Sequence, residues 1–445
     1  MLKELIAKYA SAGPRYTSYP TALDFSPDTD KENLKRLAFS ELPDASLYIH
    51  IPFCASLCRF CGCTSSIAHD PNIADDYLAL LDAELDLWRN AGMERKRLKQ
   101  IHFGGGTPNF LSPLQINKLG DIIRRFFDID TSDCEFSAEL DPRTLTKEKV
   151  KAFAEMGINR ASIGVQDTNP EVQKAINRIQ PQEKNLEAIS WLHESGINAI
   201  NIDLIYGLPL QTKETFKKTL DDALALNPAR IALFGYAHVP WVKPAQKILE
   251  ANRIPTSDEK ADLFLSGKEF FESAGYEFIG LDHFARPTDE LIKARQNGTL
   301  HRNFQGYSTR GGIDTFAIGL TSISETKTSY RQNHKIMSEY VKSVKAGVLP
   351  IERGVILNSE DILRRAIIMD VMCSQKVSFS NYGVDFTTKF EDALNKLENM
   401  SADGLVEITS TGFSVTPIGR LFLRNIAMLF DGRISQKQNT YSKTV

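Results

Sequence analysis

The stretch YIHIPFCASLCRFCGC, Tyr48 to Cys63, runs a short β-rich segment straight into four of the six cysteines of a 445-residue chain. Cys54, Cys58, Cys61 and Cys63 follow one another with three, two and one residues between them. Three close thiolates on one loop can hold three corners of a [4Fe-4S] cube and leave the fourth iron open to a small molecule. Structural zinc prefers closed four-ligand sites, commonly built from separated pairs. Cys63 could supply a fourth thiolate, so the spacing alone leaves zinc open. Disulfides inside so short a loop fit less well. Cys134 and Cys373 lie far from the cluster and read as small buried hydrophobes.

Working outward from the loop, a rhythm continues. β-rich runs at 47–51, 100–103, 135–140, 160–165, 200–205 and 230–236 alternate with amphipathic helices. Leu78, Leu81, Leu85 and Trp88 form one helical stripe. Ser112-Pro113 reads as an N-cap with proline at the first helical position, ahead of the stripe Ile116, Leu119, Ile123 and Phe126. Such alternation argues for a parallel sheet covered by helices. Six units suit a partial barrel or a doubly wound sheet, and in both the ligands sit at the C-terminal strand ends. A seventh run spans 276–285. Near the C-terminus, Val406 and Ile408, then Phe413 and Val415, alternate around a Ser-Thr-Gly turn, a hairpin followed by a helix.

A chain this long buries a large core without staples. Hydrophobic content of 42% and charged content of 24% are those of an ordinary globular protein, and the formal net charge of −3 gives no general polyanion-binding surface. Nucleic-acid binding is therefore not expected. No apolar run approaches the length of a membrane span, and the N-terminus lacks the apolar core of a signal peptide. The expected setting is cytoplasmic, where clustered cysteines are more often metal ligands or redox groups than disulfides.

Phe60 stands just before the third cysteine. With it, the loop resembles the signature of the radical S-adenosylmethionine superfamily. That resemblance implies that the open iron binds the amino and carboxylate groups of S-adenosylmethionine, and that reduction cleaves the cofactor to a 5′-deoxyadenosyl radical. A finer resemblance is to the oxygen-independent coproporphyrinogen III oxidases. It is carried by GPRYTSYPTA, YIHIPFC, HFGGGTP, GVQD, NIDLIYGLP, YAH, DHFARP, LHRNFQGY and, less strongly, the C-terminal GLVEI stretch. These run from residue 13 to beyond residue 420.

The resemblance implies an α/β fold: an N-terminal arm (1–45), a partial (β/α)6 TIM-like barrel (46–280), a connecting segment completing the substrate pocket (281–350), and a mainly helical, winged-helix-like domain with a small hairpin (351–445). Cys54, Cys58 and Cys61 would ligate the cluster. Two S-adenosylmethionine molecules would be met by Tyr48, Phe60, Cys63, Gly105, Gly106, Thr107, Glu139, Gln166, Arg178, Asp203, Ala237 and Ile323. Read locally, Gly104–Pro108 could be a tight turn, Tyr48 core, and Asp203 a structural cap. A carboxylate at a strand end nevertheless suits ribose hydroxyls, and a buried one in an apolar run needs a partner. The cofactor-derived radical leaves no amino-acid general base to assign.

The implied substrate, coproporphyrinogen III, carries four propionates, and arginine pairs well with carboxylates. Arg15, Arg286, His301 and Arg302 are the candidates, with Gln305 and Tyr307 as neutral donors. The reaction would decarboxylate two propionates to give protoporphyrinogen IX in haem biosynthesis. It would need an unidentified electron donor and acceptor, in a monomeric chain. A cluster-containing haem chaperone and a haem-modifying radical enzyme are the alternatives. Two positions depart from the family pattern: Arg59 stands where an aromatic is common, and Gly235 where asparagine often precedes YAH.

Overall fold

A computed structural model describes residues 2–434 and 441. The chain forms two compact units. The larger comprises Ser26–Phe270 and Gly312–Ile356; the smaller comprises the residues up to Phe25, Phe271–Gly311, and the chain from Leu357 onward. The segment 281–350 thus contributes to both.

The larger unit is built on six parallel strands: β1 (Asp44–Ile51), β2 (Arg97–Gly105), β3 (Glu135–Leu140), β4 (Arg160–Gln166), β5 (Ala199–Tyr206) and β6 (Arg230–Gly235). Each pairs with its sequence neighbour, in the order of a barrel and not that of a sheet wound both ways from its first strand. Helices α1 (Ile73–Asn90), α2 (Pro113–Phe126), α3 (Lys147–Met156), α4 (Pro170–Ala175), α5 (Gln182–Glu194) and α6 (Lys213–Ala225) supply the crossovers. On the other side of β1 lie β7 (Asp314–Ile318), parallel to it, then β8 (Ile323–Glu325), β9 (Ser329–Asn333) and β10 (Ile351–Ile356), each antiparallel to the last. Among the described residues the strand order does not return on itself, so they form no closed barrel.

Period-two alternation explains the two faces. Ile101 and Phe103, Phe136 and Ala138, Ala161 and Ile163, Ile200, Ile202 and Leu204 are buried. Each large apolar side chain contributes about 1.5–3 kcal/mol of burial. The intervening positions carry polar groups in register: Tyr48 beside His102, His102 beside Ser137, Glu139 beside Ser162, Ser162 beside Asn201, and Gly164 beside Asp203. Helix α2 begins as its sequence predicts, with Ser112 and Gln115 capping each other's backbone and Pro113 at the first position.

In the smaller unit, run 276–285 does not continue as one strand. It folds back at Leu281, whose φ is 55°, to form a hairpin of Glu277–Gly280 and His283–Ala285. A second hairpin joins His301–Asn303 to Gly306–Ser308. The C-terminal hairpin is as read from its alternation, Val406 opposite Val415 and Ile408 opposite Phe413, with a third strand, Lys376–Ser378, added. The N-terminal segment is tied down there: Tyr16 donates to Asp431 at 2.9 Å, Gly432 N–H donates to Tyr19 at 3.1 Å, and the buried Arg424 donates to the Gly13 and Pro14 carbonyls. Cys134 and Cys373 are buried.

Candidate active site

The cysteine loop is closed at its base and anchored from outside. Phe53–Cys54 pairs in parallel with Ser66–Ile67, and Ala68 N–H donates to the Cys54 carbonyl. Further bonds hold the loop backbone: Asn177 to Leu57 O (2.8 Å), Arg59 N–H to Ile176 O (2.9 Å), Gln246 to Phe60 O (3.1 Å), Lys243 to Cys63 O (2.9 Å) and His50 Nε2 to Thr64 O (2.9 Å). Phe60 packs on the apolar cluster of Val172, Ile176, Ile205, Leu208, Tyr236 and Leu249. With the backbone held from outside, the thiols are left to the inside.

There they line a cavity of ≈ 190 Å³. The strands contribute Gly105 at the end of β2 with Gly106 and Thr107 after it, Glu139 in β3 with Asp141 just past it, Ser162, Gly164 and Gln166 in β4, and Asp203 in β5; Arg143 and Arg178 are also in the lining. Gly105 has φ +111°, and a Cβ there would lie 2.6 Å from the His50 ring. At Gly164 a Cβ would meet the Gln166 amide at 2.8 Å and the Arg178 guanidinium at 3.0 Å, so glycine makes room for both.

Each of the three cluster-spaced sulfurs has a hydrogen-bonding neighbour. Thr107 Oγ1 is 3.4 Å from Cys54 Sγ, Arg143 Nη2 is 3.3 Å from Cys58 Sγ, and Cys63 N–H is 3.4 Å from Cys61 Sγ. Arg178 Nη1 lies 3.5 Å from the Cys58 sulfur as well, and its Nε is buried with no protein partner. Among the described residues no group of three or more His, Cys, Asp and Glu is arranged to hold a single metal ion. An iron–sulfur cube is served differently, by one sulfur on each of three irons. Three thiols with donors on their sulfurs, beside two guanidinium groups and an open cavity, fit that anionic group and its outer shell.

Charge is graded across the cavity. Hydrogen bonding from Cys63 holds the Cys61 thiol down, helped by the Lys243 and Arg178 charges and opposed by burial. Burial pushes the Cys54 thiol up, against the Thr107 and Ser65 hydroxyls. Burial also raises Glu139, but the bond from His102 Nε2 (3.2 Å) and the Gly105 N–H outweigh it and leave that carboxyl below its usual range. Asp203 goes the other way: burial and the Glu139 charge raise it to about 6, against hydrogen bonds from Ser162 (3.0 Å) and Asn201 (2.8 Å). Two carboxylates near one cavity thus titrate apart, Asp203 retaining its proton to about 6 while Glu139 has already lost its own.

Of the residues expected from the sequence, Cys54, Cys58, Phe60, Cys61, Cys63, Gly105, Gly106, Thr107, Glu139, Gln166, Arg178 and Asp203 share this lining. Tyr48, Ala237 and Ile323 stand outside it. Tyr48 is half-buried, stacked on His102 at 5.9 Å and hydrogen-bonded to His50 at 3.1 Å. Ala237 is exposed just after β6, and Ile323 opens β8 opposite Gln332. Sequence reasoning passed over His50, His102, Asp141, Arg143 and Ser162. Their signal was positional: His50, His102 and Ser162 lie on the polar face of parallel strands, and Asp141 and Arg143 just past the C-terminal end of β3.

Residues 48–223 match the Radical SAM superfamily, and residues 357–422 match the HemN C-terminal domain. The oxygen-independent coproporphyrinogen III oxidase of Helicobacter pylori is 42% identical over 99% of this chain and 99% of its own length. The chain belongs to the oxygen-independent coproporphyrinogen III oxidase family. Relatives of the same name from Synechocystis and Escherichia coli are 38% and 40% identical, over 99% and 97% of this chain and 97% and 95% of their own. The solved Escherichia coli coproporphyrinogen III oxidase (HemN), described as a radical SAM enzyme, superposes with a TM-score of 0.89 at 39% identity, covering 94% of this chain and 97% of that one.

The structure shows what surrounds Arg59 and Gly235. Arg59 Nη1 donates to the Ala175 carbonyl at 3.0 Å, at the end of α4. At Gly235 a Cβ would lie 2.8 Å from the Tyr206 hydroxyl, so the phenol fills the space a longer side chain would take.

In the smaller unit, the expected substrate residues fall into two groups. Arg15 pairs with Asp282, and its carbonyl accepts from Arg302 Nε at 3.2 Å. Arg302 is buried over the Tyr307 ring at 4.9 Å, and Tyr307 donates to the Met372 carbonyl at 3.0 Å. His301 and Gln305 sit on the same hairpin and its turn. Arg286 lies instead over the Tyr276 ring at 4.8 Å.

Proposed function

We propose that the chain catalyses the reaction for which its family is named, oxidising coproporphyrinogen III without molecular oxygen. Two propionate side chains become vinyl groups, giving protoporphyrinogen IX for haem biosynthesis. Each conversion releases one carbon dioxide and removes one hydrogen from the β-carbon, so two electrons leave per vinyl group and an electron acceptor is required. The observation that carries this reading is the convergence of three thiols, each with a hydrogen-bonding neighbour at its sulfur, on the cavity that also gathers Glu139, Gln166, Arg178 and Asp203.

Cys54, Cys58 and Cys61 would hold the [4Fe-4S] cluster, and the cluster with S-adenosylmethionine supplies the reducing electron and the carbon-centred radical when bound. The chain's own residues bind and orient. Glu139 is held ionised by His102, an acceptor suited to ribose hydroxyls. Asp203 offers a second acceptor, fixed by Ser162 and Asn201. The reading includes two cofactor molecules: Tyr48 would contact the first, Phe60, Gly106 and Thr107 the second, and Cys63, Gly105, Glu139, Gln166, Arg178, Asp203, Ala237 and Ile323 would complete the cofactor pockets. For the substrate propionates, Arg302 is supported by a buried guanidinium whose Nη1 has no protein partner; Arg15, Arg286, His301, Gln305 and Tyr307 complete the set. No described helix is long and apolar enough to cross a membrane. We place the enzyme in the cytoplasm as a monomer, with its electron donor and acceptor still to be identified.

The test is anaerobic incubation of the reconstituted protein with coproporphyrinogen III, S-adenosylmethionine, a reductant and an electron acceptor, following tetrapyrrole mass. Loss of two carboxyl groups is the expected result. Cofactor cleavage with an unchanged tetrapyrrole would move the substrate elsewhere, and tight haem binding with neither change would favour a chaperone.

A further inference from the structure

Asp141 and Arg143 lie just past the end of β3, two residues apart, and neither has an assigned role in the reading above. Asp141 is buried and organises two cations. Its carboxylate accepts from Arg143 Nε at 3.0 Å and Nη2 at 2.6 Å, and from Arg178 Nη1 at 3.1 Å. Arg143 is thereby held in one orientation, with its side chain only 17% exposed. From there its Nη2 reaches Cys58 Sγ at 3.3 Å and its Nη1 reaches Ser56 Oγ at 3.2 Å. The three cluster-spaced sulfurs are therefore not equivalent. Cys54 is beside a hydroxyl and Cys61 beside a backbone N–H, whereas Cys58 faces the Arg143 guanidinium at 3.3 Å and, a little farther, Arg178 at 3.5 Å, both paired with the buried Asp141.

We propose that Arg143, aimed at Cys58 by Asp141, is a positioning residue that raises the reduction potential of the [4Fe-4S] cluster held by Cys54, Cys58 and Cys61. The proposal rests on the cluster reading of the proposed function. A hydrogen bond and a positive charge at a ligating sulfur stabilise the more negative, reduced cluster over the oxidised one. Poor solvation of the site strengthens both effects. Asp141 keeps the Arg143 guanidinium from turning away, and with Arg178 also paired to it the two guanidinium groups outnumber the one carboxylate, leaving net positive charge beside the Cys58 sulfur.

The test is a redox titration of the reconstituted full-length protein with dithionite, followed by the electron paramagnetic resonance signal of the reduced cluster. Iron and sulfide are counted in each sample. Parent protein that holds no iron and sulfide refutes the cluster reading itself, before Arg143 is at issue. Given a loaded parent, Arg143→Met is expected to lower the reduced-to-oxidised ratio at a fixed poise about tenfold, or about 59 mV for one electron. Arg143→Lys, which retains the charge, is expected to recover part of the shift. Arg143→Gln retains a donor for Asp141 and carries the same test if the methionine variant assembles no cluster. A parent-like potential in a loaded neutral variant overturns the proposal. So does failure of all three variants to take up a cluster, which would make Arg143 an assembly residue.

Discussion

The larger unit holds two knots of buried polar groups on different sides of β1, and they are built to opposite ends. One surrounds the cysteine loop. The other surrounds Glu84, in the middle of α1 and wholly buried. Glu84 accepts from Tyr340 at 2.7 Å, Gly319 N–H at 2.9 Å and Asn333 at 2.7 Å, joining α1 to the loop after β7, to β9 and to the helix Met337–Lys345. Tyr77, two turns before it on the same face of α1, receives the Leu320 N–H and donates to the His50 carbonyl. Both carboxylate oxygens of Glu84 are met by protein donors, whereas in the cavity the buried Arg178 Nε has no protein partner. A satisfied buried network fixes packing. One with spare hydrogen-bonding capacity beside a cavity is fitted to a ligand.

The largest expected effect lies on the cavity side. Cys58→Ala should abolish cluster uptake, read as iron and sulfide content, and bring coproporphyrinogen decarboxylation to background while the thermal unfolding of the apo-protein hardly moves. A cluster retained at parental stoichiometry would remove Cys58 from the ligand set.

Glu84 should show the reverse. Glu84→Leu strands the Asn333, Gly319 and Tyr340 donors and should cost about 3 kcal/mol of stability, read by denaturant unfolding. Glu84→Gln sharpens the contrast through pH. Burial raises the Glu84 carboxyl from 4.5 to about 7, against the pull of its donors. The unfolded chain therefore gives up this proton first as pH rises. The group's contribution to stability is full below about 4.5 and is lost as pH climbs through about 7. Relative to the parent, the Gln variant should gain stability between those values, by on the order of 3 kcal/mol at most. A pH-independent difference would show that the surrounding donors keep Glu84 ionised throughout.

The two knots also differed in how visible they were beforehand. Strand ends in a parallel α/β chain are where ligands sit, so Glu139 and Asp203 stood out from the runs EFSAEL and INIDLI. Glu84 carried a signal that periodicity contains, since positions 77, 81, 84 and 88 share one face of α1, but a carboxylate among apolar neighbours reads as a boundary residue unless its partners are known. Those partners come from 319–340, where short strands, glycines and polar runs gave no period to follow. Pairing of β7 with β1 joins residues far apart in sequence, as Leu47 with Phe316 shows, and nothing local announces it. Arg143 was passed over for a different reason: its importance lies in the direction of one guanidinium, which no spacing encodes.

A smaller effect separates the carboxylates within the cavity. Asp203, raised to about 6 by burial and the Glu139 charge, accepts most strongly from a ligand when ionised. S-adenosylmethionine affinity, measured by calorimetry, should therefore rise with pH through about 6 and then level off. Asp203→Asn should weaken binding by about tenfold, one lost charge-assisted bond, and flatten that pH profile. An unchanged profile in the variant would transfer the titration to another group. Thermal stability should change little, in contrast to Glu84.

The smallest effect is expected at Arg59, on the outer side of the loop. Its guanidinium caps the Ala175 carbonyl, a cation at the end of α4. Arg59→Ala removes that one bond, while its backbone N–H to Ile176 O and the anchors at Leu57, Phe60 and Cys63 remain. The loss should be about 1 kcal/mol or less in denaturant unfolding, with cluster content unchanged. If the variant instead lost its cluster, the loop would depend on one outer contact for its shape, and redundant anchoring would be the wrong account of how three thiols are kept facing the cavity.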